Sequence, residues 1–231
     1  AENAGGPCAI KYGVTRDYVL GVEGYFGNGS SFKLGRKCHK DVAGYDLKSL
    51  LIGSEGTLAI ITKITLKLIP APLFESSCCC SFNTIKKAST FLNTVTQSNI
   101  QLSAAEFIEK RCLKATQNYL NQSHEWETNH IVLLRFESNT QDGINTIKQT
   151  LSTLCKKHNG QYHDKSPKEY WIVRRSVSEA LGNCYKNKFS EDITLPPGHI
   201  PKYLEFLATL ETPHIHVLGY GHLGDGNVHT N

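Results

Sequence analysis

The chain has 231 residues, which is enough for one large domain or two small ones, and 39% of them are hydrophobic, as in proteins that bury a core. Its 25 basic and 21 acidic residues give a formal net charge of +4, and the lysines are scattered, so the composition does not indicate a nucleic-acid-binding protein. No apolar run approaches the ~18 residues that a membrane-spanning helix requires.

The first seventy residues carry mainly strand patterns. Residues 18–22 and 31–34 alternate apolar and polar positions, and the sequence Gly27-Asn28-Gly29 between them predicts a turn. A short apolar segment follows at residues 48–52, and a long β-branched run at residues 58–69. Prolines 70 and 72 end this run, and because proline cannot pair in a central strand, we place a domain boundary after residue 72.

The second part alternates strand and helix patterns. Strand patterns cover residues 76–82, 102–108, 130–137, 192–195 and 214–220. Helical patterns cover residues 84–97, 109–120, 141–158, 167–181 and 199–210. Thr84 is the expected N-cap of the first helix. Repeated strand–helix units predict an α+β sandwich of the ferredoxin-like kind.

The start of the chain and its cysteines suggest a piece of a longer intracellular protein. The sequence begins with Ala1, contains no methionine and shows no secretion signal, so we expect a truncated chain. Its eight cysteines form no C-x-x-C pair, which indicates reduced, buried thiols rather than a metal ribbon.

The segment from Gly219 to His229 is the most informative, because His222 and His229 bracket a glycine-rich stretch. Imidazole is a good ligand for zinc, manganese, iron and cobalt. The glycines allow the backbone to fold back so that both rings can face one ion. Two ligands do not complete a metal site, so the others must come from upstream or from a longer chain. His214 and His216 are expected at core or edge positions of the preceding strand.

Two further segments, residues 2–6 and 53–61, combine glycines with small residues. Such backbone can approach a flat or phosphorylated ligand closely. Neither segment is a dinucleotide-binding G-x-G-x-x-G motif or a P-loop.

Four segments of the sequence, in their order along the chain, resemble motifs of a known family. Asn-Ala-Gly-Gly and Lys-Tyr-Gly in residues 3–13, Gly-Tyr-Asp-Leu in 44–47, and Gly-Ser-Glu-Gly-Thr-Leu in 53–58 resemble the second half of the FAD-binding domain of the vanillyl-alcohol-oxidase superfamily. Residues 222–229 resemble its FAD-linked D-2-hydroxyacid dehydrogenase branch, which includes D-lactate dehydrogenases, D-2-hydroxyglutarate dehydrogenases and the flavin subunit of glycolate oxidase. The resemblance implies that residues 1–72 are the second half of a PCMH-type FAD-binding domain. It implies that residues 73–231 are a truncated substrate and metal domain, the FAD-linked oxidase C-terminal domain.

The resemblance also implies roles for individual residues. The residues expected to contact FAD are Glu2, Asn3, Ala4, Gly5, Gly6, Glu55, Gly56, Thr57, Leu58, Ala59, Ile60 and Ile61, of which Ala59 replaces the usual glycine. His222 and His229 are the expected ligands of a divalent metal, with zinc as the first choice and manganese or iron as alternatives. Arg174, Ser178 and Asn231 are expected to bind the substrate, with the arginine holding its carboxylate.

Two departures from the family pattern limit this assignment. The Glu-His-Gly motif that supplies the third metal ligand and the catalytic base is absent, so we expect no catalytic residue within this chain. Ser190 stands where the hydroxyglutarate branch has a lysine, and Lys188 is only nearby.

The activity implied by the resemblance is the metal-assisted oxidation of a D-2-hydroxy acid to a 2-oxo acid, with hydride transfer to flavin N5. The expected electron acceptor is a quinone, a cytochrome or an electron-transfer flavoprotein, and a homodimer is compatible with the sequence. The expected location is the cytoplasm, or the mitochondrial matrix in a eukaryote, with peripheral membrane association as a further alternative. Two other hypotheses stay open: a metal-binding, hydrolase-like module that uses His222, His229 and Asp225, and a non-catalytic flavin-binding subunit of an electron-transfer complex.

Overall fold

The computed structural model of the chain describes residues 1–38, 40–122, 129–164 and 167–231. These residues form two compact units, Ala1–Ala71 and Pro72–Asn231. Each unit has a hydrophobic cluster of its own. Within the described ranges, no helix is both long enough and apolar enough to cross a membrane.

The first unit is built on a three-stranded antiparallel sheet with the order β2-β1-β3. Its elements are α1 (Ala9–Tyr12), a 3-10 turn (Thr15–Tyr18), β1 (Val19–Phe26), β2 (Ser31–Gly35), α2 (Leu47–Leu51) and β3 (Ala59–Leu66). The apolar segment at residues 48–52 is mostly helix, and its N-cap Asp46 accepts a hydrogen bond from the Ser49 amide at 3.1 Å. Val22, Phe32 and Leu51 are among the buried side chains of its core.

The second unit contains a seven-stranded sheet whose neighbouring strands all pair antiparallel, in the order β7-β4-β6-β5-β9-β10-β8. Its elements are β4 (Phe74–Phe82), α3 (Ile85–Thr96), β5 (Leu102–Ile108), α4 (Lys110–Leu120), β6 (His130–Ser138), α5 (Gln141–Lys157), β7 (Gln161–His163), α6 (Pro167–Cys184), β8 (Glu191–Thr194), a 3-10 turn (Pro197–His199), α7 (Ile200–Thr209), β9 (Gly219–His222) and β10 (Asn227–Thr230). Its first four strands stand in the spatial order 4-1-3-2, the arrangement of a ferredoxin-like sheet, and the predicted α+β class is confirmed.

The core of this unit follows from its apolar strands and amphipathic helices. All seven positions of β5 are buried, as are the first five of β6, because both strands lie inside the sheet. One face of α6 contributes Val173, Val177 and Leu181 to a cluster that also contains Tyr220 of β9. The side chain of Thr84 caps α3 as predicted, by accepting a hydrogen bond from the Lys87 amide at 3.3 Å.

Several predicted elements differ from the structure. The strand predicted at residues 214–220 begins only at Gly219, because Thr212 and Ile215 close a turn through reciprocal backbone hydrogen bonds of 3.0 and 3.3 Å. Strand β7 was not predicted, and α6 runs three residues further than expected. Five of the eight cysteines are buried, as expected, but Cys8 is half-buried and Cys38 and Cys184 are exposed.

Candidate functional site

The two predicted metal-binding histidines lie on neighbouring strands of a β-hairpin formed by β9 and β10. His222 ends β9 and His229 lies in β10, where it stands opposite Tyr220. The ring centroids of the two histidines are 5.1 Å apart, and their planes are nearly perpendicular at 80°. Gly226, in the turn, has φ of +92°, and a Cβ there would overlap the carbonyl oxygen of Leu195. The glycine-rich turn therefore brings the two imidazoles together, as the sequence predicts.

Glu106, in the middle of β5, connects one of these histidines to the predicted carboxylate-binding arginine. Its side chain has no exposed surface. One carboxylate oxygen lies 2.5 Å from Nδ1 of His222, and the other accepts a hydrogen bond from Nε of Arg174. Arg174 and His222, which lie 68 and 116 positions after Glu106 in the sequence, thus meet at a single buried carboxylate.

This arrangement defines the protonation of the His222 ring. A carboxylate only accepts hydrogen bonds, so Nδ1 must carry the proton that it donates to Glu106. A protonated Nδ1 cannot also accept from Arg174, whose Nη2 lies 3.5 Å away; that approach is therefore a contact rather than a hydrogen bond. In the neutral ring, the free lone pair is then on Nε2, the nitrogen available to a ligand.

Glu106 is held in its charged form. Burial on its own would raise the pKa of this carboxyl group, but the hydrogen bond from His222 and the positive charge of Arg174 outweigh it, and the pKa lies below its ordinary value. An ionised group at this depth is stable only because both oxygens are bonded.

His229 has a carboxylate partner of its own. Its Nδ1 lies 2.5 Å from Oδ1 of Asp192, which is the residue opposite it on β8. The Asp192 side chain is 65% exposed, so this pair orients the ring and contributes little to stability. Both histidines therefore direct Nδ1 to a carboxylate, which is the usual outer partner of a metal-binding imidazole.

Arg174 and Ser178 lie one turn apart on α6, and both face Tyr220. The guanidinium carbon of Arg174 is 5.0 Å from the centre of the Tyr220 ring, within cation–π distance. The Arg174 side chain is 10% exposed, whereas the residue Arg175 is exposed, so only the first of the two arginines belongs to the site. Burial raises the pKa of the Tyr220 hydroxyl, and its hydrogen bond with Ser178 opposes this shift.

Ser178 and Asn231, the other two residues expected to bind the substrate, are held by hydrogen bonds to neighbouring residues. Lys188 donates hydrogen bonds to the hydroxyl oxygen of Ser178 at 2.8 Å and to its carbonyl oxygen at 3.0 Å. Asn231 accepts a hydrogen bond from the Ser190 hydroxyl at 2.7 Å and donates to the carbonyl oxygen of His229 at 3.3 Å. Asn231 is therefore held beside the histidine pair.

The donors present fit part of a metal site. The described residues contain no group of three or more histidine, cysteine or acidic side chains placed to hold an ion. His222 and His229 supply two nitrogens with carboxylate-backed Nδ1 atoms, which suits a divalent transition metal that takes further ligands from elsewhere. Asp225 does not join them in such a group; its Oδ1 accepts from the Asn227 amide at 3.2 Å.

The remaining histidines lie at other positions. His216 pairs with Glu211 at 3.0 Å and packs against the ring of Tyr185. His199 stands at the N-terminal boundary of α7, as predicted, but its side chain does not cap the helix.

The predicted flavin segments meet in the first unit. The amides of Gly53 and Glu55 both donate to the carbonyl oxygen of Ala1, at 2.8 and 3.2 Å. Asn3 and Glu55 have left-handed φ angles of 57° and 52°, a conformation that is uncommon outside glycine.

An open cleft of about 400 Å³ lies beside the first of these segments. Ala4, Gly5 and Gly6 line it together with Tyr12 and Leu66, among others. Residues 55–58 form an exposed turn and residues 59–61 begin β3; neither stretch lines this cleft. Small residues around an apolar cleft fit a flat cofactor.

Sequence reasoning missed Glu106, Asp192 and Tyr220. The signal for Glu106 was a single acidic residue inside the apolar stretch Leu-Ser-Ala-Ala-Glu-Phe-Ile, because a charge there must be paired. Asp192 carried no such signal, because its partner is set by the β8–β10 register.

Comparison with known proteins identifies the class to which this fold and site belong. Residues 72–231 match the family described as "FAD linked oxidases, C-terminal domain". The chain therefore belongs to the FAD-linked oxidases, a family of flavoenzymes, as its motifs indicate. This membership favours the oxidoreductase hypothesis over the hydrolase-like module.

Two curated relatives and one solved structure are similar over nearly the whole chain. The glycolate oxidase subunit GlcD of Bacillus subtilis is 31% identical over 99% of the chain and 50% of its own length. The mitochondrial D-lactate dehydrogenase [cytochrome] of Arabidopsis thaliana is 30% identical over 100% of the chain and 41% of its own length. Among structures, an alkyldihydroxyacetonephosphate synthase superposes with a TM-score of 0.74 at 16% identity, covering 100% of this chain and 46% of that one. The chain thus spans about half the length of these relatives.

Proposed function

We propose that the protein containing this chain oxidises a small D-2-hydroxy acid to the corresponding 2-oxo acid, with FAD as its cofactor. The observation that carries this proposal is the buried Arg174 beside the His222 and His229 pair, in a chain of the FAD-linked oxidase family. A carboxylate-binding group next to two imidazoles suits a substrate with a hydroxyl beside its carboxylate. The names of the two relatives, which refer to glycolate and D-lactate, support the same class.

Arg174 would orient the substrate. Glu106 holds its Nε and Tyr220 lies beside the guanidinium, so the terminal Nη groups remain to donate to a carboxylate as a fork. A carboxylate fixed in this way limits the positions open to the adjacent C2 atom. Ser178 and Asn231 are proposed to bind the same acid.

Other parts of the chain would hold the cofactors. We assign FAD to the segments 2–6 and 55–61, and a divalent metal to His222 and His229, with zinc first and manganese or iron as alternatives. When bound, FAD supplies the hydride acceptor N5 and the metal polarises the substrate hydroxyl. The further metal ligands and the base are assigned, by resemblance, to residues outside this sequence.

The name of one relative bears on the electron acceptor and on the location of the protein. A quinone, a cytochrome or an electron-transfer flavoprotein would reoxidise the flavin, and the name of the Arabidopsis relative supports a cytochrome. The same name supports the mitochondrial alternative for a eukaryotic source, and the cytoplasm remains the proposal for a bacterial one. A homodimer is the proposed assembly.

The test is the visible spectrum of the full-length protein under nitrogen. We expect a flavin band that D-lactate, glycolate or D-2-hydroxyglutarate bleaches, while L-lactate, the matched control, leaves it unchanged. A protein without flavin, or a flavin that none of these acids reduces, would refute the proposed activity. The second outcome would favour the non-catalytic subunit.

A further inference from the structure

Glu106 is a fully buried carboxylate for which the proposed chemistry has no direct use. It lies at the centre of the sheet, where β5 pairs with β6 on one side and β9 on the other. Removing a charge from water at this depth is unfavourable unless both oxygens are bonded. Here they are bonded to the two functional side chains, Arg174 and His222.

We propose that Glu106 is a positioning residue that couples Arg174, in the substrate-binding part of the site, to His222, in the metal-binding part. One oxygen fixes Arg174 for the substrate carboxylate, and the other fixes the His222 tautomer that leaves Nε2 free for a metal. This inference rests on the proposed function for its catalytic consequence only. The positioning of Arg174 and His222 by Glu106 is inferred from the geometry of these three side chains alone.

The coupling follows from the rigidity of the carboxylate. Its two oxygens share one plane, so a rotation that improves one hydrogen bond displaces the other. The backbone cannot compensate, because Glu106 pairs with Leu133 in the sheet and its neighbour Phe107 pairs with Gly221 of β9. A shift of Arg174 would therefore reorient the His222 ring.

A second buried carboxylate three residues later provides a matched control. Glu109 is 7% exposed and bonds to Nε of Arg111 and to the Gly219 amide, at 2.5 and 3.2 Å. It stabilises the start of β9 without bonding to Arg174 or His222. Glu109→Gln thus removes a buried charge from the same segment and leaves the coupled pair intact.

The variant Glu106→Gln separates positioning from simple structural support. An amide keeps the size of the side chain but presents one acceptor and one donor, so it can accept from only one of the two partners. Glu106→Asp keeps both acceptors and the charge on a shorter stem. Because Glu106→Asp keeps the negative charge and both accepting oxygens, we expect its KM and its Co²⁺ affinity to lie between those of Glu106→Gln and the wild type.

The experiment uses the full-length flavoprotein with three readouts. They are KM and kcat for the hydroxy acid, the affinity of the metal-depleted protein for Co²⁺ from its d–d absorption, and the tautomer of His222 from nitrogen-15 spectra assigned with His222→Gln. We expect Glu106→Gln to raise KM more than it lowers kcat. We expect a loss of Co²⁺ affinity on the order of 10–100-fold, as for other outer partners of metal-binding histidines. Glu109→Gln should leave both values close to those of the wild type.

The measurement of the His222 tautomer is made on the wild-type protein, so it requires neither a folded variant at position 106 nor turnover of a substrate. We expect the neutral wild-type ring to carry its proton on Nδ1; a proton on Nε2 would overturn the proposal. Unchanged KM and Co²⁺ affinity in folded Glu106→Gln would overturn it as well. If the wild type oxidises no hydroxy acid, the proposed function fails, while the Co²⁺ and tautomer measurements still decide the role of Glu106.

Discussion

His130, at the start of β6, makes the stability of the second unit depend on pH. The residue is 5% exposed, and its ring stacks on Phe107 with centroids 6.0 Å apart. Its Nδ1 accepts a weak hydrogen bond from the Lys110 amide at 3.4 Å. Burial, with the charges of Lys110 and Arg111, lowers the pKa of this imidazole from 6.5 to about 4.

The sign and the size of the effect follow from proton binding. Between pH 6.5 and 4, the unfolded chain binds a proton at His130 that the folded chain does not, so the folded state loses stability as the pH falls through this window. Above pH 6.5, neither state binds the proton and stability is unaffected by this residue. At 1.36 kcal/mol per pKa unit, the full loss is about 3 kcal/mol.

The assay is urea unfolding of the 231-residue chain at a series of pH values from about 4 to 7.5, chosen to bracket the titration of histidine. Tryptophan fluorescence reports on the second unit, because both tryptophans follow residue 72. His130→Gln should flatten the decline of the unfolding free energy below pH 6.5, whereas His214→Gln, at an exposed histidine, should follow the wild type. Parallel pH curves for His130→Gln and the wild type would refute the reasoning.

Three further substitutions test other parts of the fold and site. Gly226→Ala should destabilise the β9–β10 hairpin by about 1–3 kcal/mol, because of its positive φ and the overlap with Leu195, while Gly198→Ala, with open space around it, should be close to neutral; similar melting temperatures for the two would contradict this. Thr84→Ala should cost about 1 kcal/mol in urea unfolding through loss of the α3 N-cap, and an unchanged midpoint would show that the cap is unimportant. Arg174→Lys should raise KM for the hydroxy acid by about 10–100-fold, because a lysine has no fork, and an unchanged KM would remove Arg174 from carboxylate binding.

The sequence was sufficient to predict the helices and strands that have strong hydrophobic periodicity. The apolar run 102–108 is β5, and the helical pattern 141–158 is α5, ending one residue earlier. Both depend on local side-chain spacing, which a sequence displays directly. β7 has only three residues and is defined by pairing with β4, so its own residues give no comparable signal.

The site was only partly predictable, for a related reason. His222, His229 and Arg174 could be chosen from motifs, but the partners of their side chains depend on long-range pairing. Glu106 reaches His222 because β9 pairs with β5, and Asp192 reaches His229 because β8 pairs with β10. Strand order and register are tertiary properties, which no local pattern specifies.

The attachment of β9 to β5 has a consequence for motion. The register of β9 against β5 comprises two residue pairs, Phe107–Gly221 and Ile108–Tyr220, supplemented by the side-chain bonds of Glu106 and Glu109, whereas β4 and β6 pair along the full nine residues of each. The hairpin that carries both histidines should therefore open locally more often than the sheet interior, and its amides should exchange with deuterium sooner. A ligand that bridges the hairpin and α6 would slow this exchange, so protection of the β9 amides would report its binding without any turnover.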